Sequence, residues 1–259
     1  TFTGGGQTGA RVYQAAAKSL KPCTLELGGK SPNIVFDDAV LDNAVKGAVA
    51  GIFAATGQTC IAGSRLLVQD SIHDAFVEKL VAFAKTARMG DPMETTTQVG
   101  LSYIAIAREE GAKTLLGGAP AKGLPETGDC EYFVEPTIFG DVTNDMRIAQ
   151  EEVFGPVLSI IRFKDEDDAL RIANDIDFGL AAGVWTESMA RAIRMSRGLR
   201  AGTVWINNYR MLSYMSPFGG YKMSGLGREN GIEAVREFLQ TKSVWISTAA
   251  DIPDPFVLR

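Results

Sequence analysis

The sequence predicts an α/β fold built on a mostly parallel sheet flanked by helices. Short β-rich runs alternate with amphipathic helical stretches along the 259 residues, the order of parallel strands joined by helical crossovers. Apolar residues make up 46% of the chain and charged residues 22%, enough to bury a sizeable core in one large or two modest domains. No internal repeat or low-complexity tract interrupts the alternation.

The chain opens on TFTGGGQTG, in which Gly4, Gly6 and Gly9 spell the G-x-G-x-x-G of a dinucleotide-binding turn. Only Thr1, Phe2 and Thr3 precede it as a feeding strand. The β-runs that follow are NIVF from Asn33, RLLVQ from Arg65, VLSIIRF from Val157, AAGVWT from Ala181 and TVWIN from Thr203. Between the first two, Val45, Val49, Ile52 and Phe53 recur at helical spacing over residues 44–55, and Gly57 is placed to stop that helix. Ser71 and Asp74 form a capping-box-like start for a helix whose core face reads Phe76, Leu80, Phe83 and Ala87. Asp165 with Asp168, and Ser188 ahead of Met189, Ala192 and Ile193, mark two further helices. The loops over residues 117–130 and 207–227 are rich in glycine, proline and aromatics, and read either as exposed connections or as the lining of a site. Late in the chain TKSVWIST, from Thr241 to Thr248, alternates β-formers, and an isolated strand there needs a partner, often from another subunit.

Composition narrows the function. A net charge of −5 without a Lys/Arg stripe argues against nucleic acid. The longest weakly polar run, residues 48–57, falls far short of the roughly 20 apolar residues that span a bilayer. A small-molecule partner fits better. Cys23, Cys60 and Cys130 are too few and too widely spaced for a disulfide framework, and with one histidine they make no metal pattern. A reducing, cytoplasmic location fits that cysteine usage.

Two short matches carry no chemistry. GGKS at Gly28 ends like a phosphate-binding loop, but the first glycine of that pattern would fall on Thr24. DFG at Asp177 lacks the other kinase motifs. The single histidine, His73, reads as a solvated side chain in the first turn of a surface helix, which leaves a carboxylate to act as base. Glu26, between Leu25 and Leu27 and ahead of a Gly pair, is a candidate, since burial there would raise its pKa toward the range of about 6–7 that suits a general base. A solvent-facing strand-end glutamate is the alternative. Cys60, in GQTCIAGSR, follows the helix stop on a turn that exposes its thiol, where backbone N–H groups could lower its pKa. It reads as a nucleophile or as a core thiol, and Cys23 and Cys130 as inert.

FTGGGQTG, LELGGKSPNIVF, GQTC, EEVFGPV, GLAAGVWT, AGTVWIN and SPFGGYKMSGLGRE, taken together and in this order, resemble the aldehyde dehydrogenase superfamily. The resemblance runs through the chain and implies a catalytic domain with a mostly parallel sheet, preceded by a remnant of a Rossmann-like cofactor domain. The implied organisation is residues 1–27 for that remnant, 28–238 for the catalytic domain and 239–250 for an oligomerisation strand. It also explains why the glycine turn comes first: in the family that turn is the last of the cofactor domain, so the chain begins mid-fold and is expected to be inactive alone.

By the same resemblance Cys60 is the nucleophile and Glu26 the base that activates water, with the backbone N–H of Cys60 as half of an oxyanion hole. NAD or NADP is the implied cofactor, bordered by Gly4, Gly5, Gly9, Leu27 and Gly28, with Glu152 on the nicotinamide ribose and Phe154 near the nicotinamide. Phe218, Leu212, Thr59 and Ile61 shape the pocket for a small aldehyde. A homo-oligomer through Thr241 to Thr248 is implied. The sequence departs from the pattern at Gly5, where the family often has Ser, and at Gly100–Leu101, where it usually has a longer loop. The rival readings are a CoA-acylating semialdehyde dehydrogenase, a stand-alone thiol esterase and a non-catalytic oligomerising fragment.

Overall fold

A computed structural model describes residues 1–87, 104–120, 134–251 and 256. Cys130, the Gly100–Leu101 junction and much of the 117–130 loop lie outside the described residues.

The chain opens with β1 (Phe2–Thr3), α1 (Gly6–Ala17) and β2 (Leu25–Glu26). Next come β3 (Pro32–Val35), α2 (Leu41–Phe53), β4 (Arg65–Gln69) and α3 (His73–Ala84). After these are α4 (Ile104–Glu109), β5 (Lys113–Leu116), β6 (Thr137–Gly140) and α5 (Arg147–Gln150). β7 (Val157–Phe163), α6 (Glu166–Asn174), β8 (Phe178–Gly179), β9 (Ala181–Trp185), α7 (Met189–Gly198) and β10 (Thr203–Ile206) continue the alternation. β11 (Tyr221–Lys222), β12 (Gly225–Leu226) and α8 (Gly231–Arg236) end it.

Seven strands form one sheet in the order β10-β9-β3-β4-β7-β6-β5. Every pairing in it is parallel except β5 with β6. The five β-runs of the sequence are all strands of this sheet, as an α/β fold requires. Both faces are covered, because successive side chains alternate between them. Ile34, Leu67, Ile161 and Val184 face one layer with Ile148, Ile172 and Met195 of α5, α6 and α7. Their neighbours Val35, Leu66, Ile160 and Trp185 face the other, with Val45, Ile52, Phe76 and Leu80 of α2 and α3.

The helix ends depart from the sequence reading in four places. A 3₁₀ turn over Asp70–Ile72 precedes α3, whose N-cap is Ile72 with no side-chain hydrogen bond, so Ser71 and Asp74 make no capping box. Asp74 accepts from Arg162 Nη2 at 2.6 Å and lies 2.9 Å from His73 Nδ1. His73 is buried, not solvated. The buried face of α3 is Phe76, Leu80 and Ala84 at i, i+4, i+8, which turns Phe83 outward and leaves Ala87 half-buried. α2 stops at Phe53, before Gly57, because Ala55 (φ 51) and Thr56 (φ 58) already take left-handed conformations. By contrast Asp165 and Ser188 do cap α6 and α7, accepting from Asp168 N and Arg191 N.

A second sheet of three short strands, β1-β2-β12, sits beside the first. β1 runs parallel to β2, and β12 pairs with β2 from the other side with Gly225 opposite Glu26. Thus β12, from the expected 28–238 segment, shares a sheet with the expected 1–27 segment. TKSVWIST forms no strand in this chain: it finds no partner strand among the described residues, and Val244, Trp245 and Ile246 stand exposed. Among the described residues no helix is long and apolar enough to cross a membrane, and no group of His, Cys, Asp and Glu could hold a metal ion.

Candidate active site

Three segments meet between the two sheets. β2 ends in Glu26, its backbone paired on both sides. The left-handed turn after α2 carries Gln58, Thr59 and Cys60 away from the helix axis. The loop after α5 brings Glu152 and Phe154, the latter at φ 52. They come this close because of the Gly pair: an added Cβ would run into the Glu152 carboxylate at Gly28 and into the Cys60 carbonyl oxygen at Gly29. Gly29 N–H then donates to Glu152 Oε1 at 3.1 Å.

These segments enclose a cavity of about 680 Å³. Cys60 and Glu26 line it together with Gly4, Gly5, Leu27, Gly28, Glu152 and Phe154, and with Thr59, Ile61, Leu212 and Phe218. Of the predicted residues only Gly9 does not: it is buried in α1 against the Leu27 side chain, behind the lining. Thr3, Gln58 and Arg210 line the cavity without having been expected. Gln58 and Thr3 lie inside the motifs GQTC and FTGGGQTG, whereas nothing local to NNYRMLSYM separates Arg210 from a surface arginine.

Glu26 is 4% exposed, and neither carboxylate oxygen has a hydrogen-bond partner among the described residues. Burial, with Glu229 nearby and Arg228 partly opposing, pushes its pKa up to about 7. The buried reading of this residue is the one the structure supports. The Cys60 thiol is half-buried and its pKa is also raised, first by burial and then by Glu152 and Glu26. Backbone hydrogen bonds at Ile61 and Cys60 pull the other way and lose. The expected lowering is overturned, chiefly because the thiol is desolvated by burial and secondarily because two carboxylates distant in sequence act on it. Glu152 is raised by burial, against the Gly29 N–H and Lys30.

The segment carrying Tyr209 is pinned to the turn that carries Cys60. Tyr209 Oη donates to the Ile61 carbonyl at 3.0 Å, its ring 4.8 Å from that of Trp205. Trp205 Nε1 donates to the Met211 carbonyl at 2.7 Å. Phe218 and Glu229 exchange two backbone hydrogen bonds, each 2.6 Å, which tie the Phe218 segment to the strand pair next to Glu26.

The model of the aldehyde dehydrogenase family matches residues 1–244. The chain belongs to this family. Among curated relatives, an aldehyde dehydrogenase of Emericella nidulans is 51% identical over 94% of this chain and 50% of its own length. A betaine aldehyde dehydrogenase of Brucella anthropi is 47% identical, over 95% of this chain and 52% of its own. The NAD+ complex of an aldehyde dehydrogenase from Bacillus cereus superposes with a TM-score of 0.90 at 42% identity, covering 96% of this chain and 52% of that one. The chain thus spans about half the length of the aldehyde dehydrogenases it matches.

Proposed function

We propose that this chain provides the nucleophile and the base for NAD(P)-dependent oxidation of an aldehyde to a carboxylic acid. The observation that carries the reading is Glu26: a buried carboxylate without a hydrogen-bond partner, at a pKa of about 7, in the same cavity as a cysteine. An unpartnered buried carboxylate is costly to a fold. It is useful where it must take protons.

Cys60 Sγ attacks the aldehyde carbon as its own proton leaves, and the carbonyl π pair moves to oxygen, giving a thiohemiacetal. The thiol proton passes to solvent water, which leaves the Glu26 carboxylate free for the hydrolysis step. The Cys60 backbone N–H supports the developing oxyanion. A bound NAD or NADP would supply the hydride acceptor, and the Cys60 adduct, on losing the hydride, becomes a thioester. Glu26 then removes a proton from water while the water oxygen attacks the thioester carbon, and the sulfur leaves. A base so placed favours hydrolysis over release to CoA.

The residues present suit a dinucleotide. Gly5 caps the twelve-residue helix α1, and a Cβ at Gly5 or Gly6 would meet nothing, so backbone donors there are open to a phosphate. Glu152 keeps acceptor capacity toward the cavity beyond its bond to Gly29 N–H, which fits ribose hydroxyls, and Phe154 offers a flat apolar face beside it. Leu27 and Gly28 border this end, with Gly9 setting the position of Leu27. Thr59, Ile61, Leu212 and Phe218 form the aldehyde end. The exposed Val244–Trp245–Ile246 run supports a homo-oligomer in which TKSVWIST pairs with a second copy.

The test is single-turnover chemistry on active enzyme. Glu26→Gln should release one equivalent of reduced nicotinamide and then accumulate acyl-Cys60 visible by intact mass, with acid release slowed about 10²–10⁴-fold. Cys60→Ala should release none. Unchanged steady-state acid formation by Glu26→Gln overturns the base; turnover by Cys60→Ala overturns the nucleophile.

A further inference from the structure

We infer that the aldehyde taken by this site carries a carboxylate at the end remote from its carbonyl, and that Arg210 selects it. The inference rests on reading the cavity as an aldehyde site, and four observations lead to it.

Arg210 is the only cationic side chain among the described residues that line the cavity; the other ionisable groups there are Glu26, Cys60 and Glu152. Its guanidinium is fixed at the C-terminal end of α2, where Nη1 donates to the Ala54 carbonyl at 2.8 Å and to that of Ala50 at 3.4 Å. Both bonds use one nitrogen. A guanidinium has five donors, and those on Nε and Nη2 have no protein partner among the described residues. Arg191 and Arg194, by contrast, are ion-paired to Asp38 and Glu166. The result is a cavity-lining arginine with an unpaired two-nitrogen edge, the kind of edge a carboxylate meets with two parallel hydrogen bonds.

The backbone at Arg210 has φ 70, a left-handed conformation uncommon for a residue with a side chain. The bonds of Tyr209 to Ile61 and of Trp205 to Met211 hold it there from both sides. Strain held by its neighbours at a cavity wall points to a position used in recognition.

Charge is also polarised along the cavity. Glu26 and Glu152 line the cavity with the Cys60 thiol and act on it, whereas Arg210 enters the lining from a different segment, held by the Ala50 and Ala54 carbonyls. An aldehyde with a terminal carboxylate is therefore repelled from the nucleophile end and attracted at Arg210, so it enters with its carbonyl toward Sγ. The apolar Ile61, Leu212 and Phe218 lie in the same lining and suit the spacer between the two groups. A quaternary ammonium aldehyde, suggested by the names of some relatives, suits this chain poorly. Arg210 repels it, and Phe154 and Phe218 are the only aromatic residues in the described lining, short of the cage that binds such cations.

The experiment compares three aldehydes of equal chain length, ending in a carboxylate, its methyl ester or a trimethylammonium group, on active enzyme. Wild type should favour the carboxylate over the ester by about 10- to 100-fold in kcat/KM, the range of a charge-assisted hydrogen-bonded pair. Arg210→Met should lose that preference, with KM for the carboxylate rising more than KM for the ester, and Arg210→Lys should retain part of it. Equal use of carboxylate and ester by wild type, or an equal fall for every aldehyde in Arg210→Met, overturns the assignment. So does a shift in dinucleotide KM alone, which would make Arg210 a cofactor contact. A measurement without turnover separates this proposal from the reading beneath it: glutarate, but not dimethyl glutarate, should slow iodoacetamide alkylation of Cys60 in wild type and not in Arg210→Met. Protection without oxidation of any aldehyde keeps the anion site and removes the dehydrogenase reading; no protection in wild type removes the anion site.

Discussion

Arg65 and Glu26 are both charged, both buried, and both carried on short strands, yet their surroundings are opposite. Arg65, on β4 in the large sheet, is fully buried and spends its guanidinium on the protein: Nε to the Lys30 carbonyl at 3.1 Å, Nη1 to Asn144 Oδ1 at 2.8 Å and the Ile172 carbonyl at 3.1 Å, Nη2 to the Ala173 carbonyl at 2.8 Å. Glu26, on β2 in the small sheet, spends nothing. The difference separates a scaffold from a site. In the scaffold a buried charge is solvated by fixed dipoles and joins distant segments, here β4 to the residues before β3 and to α6; in the site a buried charge is left open to a ligand or a proton.

The largest expected effect follows on the scaffold side. Arg65→Met removes a well-satisfied cation and strands three carbonyls and an Asn144 oxygen, so the protein should lose about 3–5 kcal/mol of stability in denaturant melts. Burial lowers the Arg65 pKa only to about 10, so this loss should be flat across neutral pH. A loss below about 1 kcal/mol would mean the network is replaceable by packing alone.

The site side should behave the other way. Glu26 binds its proton up to about pH 7 in the folded protein and only up to about 4.5 when unfolded. The folded state therefore holds the extra proton, and stability that is complete below pH 4.5 is lost as pH rises through 7. At pH 8 Glu26→Gln should be more stable than wild type by about 1–3 kcal/mol, with the gain vanishing near pH 4. The same ionisation should switch thioester hydrolysis on as pH rises through about 7. A pH-independent difference between the two proteins would show that Glu26 has ordinary partners after all.

How much of this was legible follows the same division. The large sheet could be read from the sequence because its strands are local apolar runs, buried on both faces. β6, the buried run TIFG, and the antiparallel edge strand β5, half-exposed, were missed, each being only four residues long. The site was legible only as residue types in motifs. The direction of the Cys60 pKa was not, because burial of the thiol and the approach of Glu152 and Glu26 come only through folding, and neither was Arg210, whose position depends on a left-handed turn held by Tyr209 and Trp205. His73 misled for a similar reason: a polar residue in a first helical turn reads as exposed unless the packing around it is known.

The helix caps give the finest version of this contrast and the smallest predicted effect. Ser188 and Ser71 look alike in sequence, each a serine shortly before an amphipathic run. Ser188 Oγ accepts from Arg191 N at 3.3 Å, whereas Ser71 lies within a 3₁₀ turn and α3 begins after Ile72 without a side-chain cap. Ser188→Ala should therefore cost about 1 kcal/mol, and Ser71→Ala should stay within about 0.5 kcal/mol, both read as shifts in denaturation midpoint at constant slope. Equal costs would mean that Ser71 caps α3 in solution. The bond at Ser188 is long, so its cost belongs at the lower end of the range for N-caps. A larger loss there would have to come through the neighbouring Asp38, which accepts from Ser188 N, Thr186 Oγ1 and Arg191 and joins the start of α7 to the end of β3.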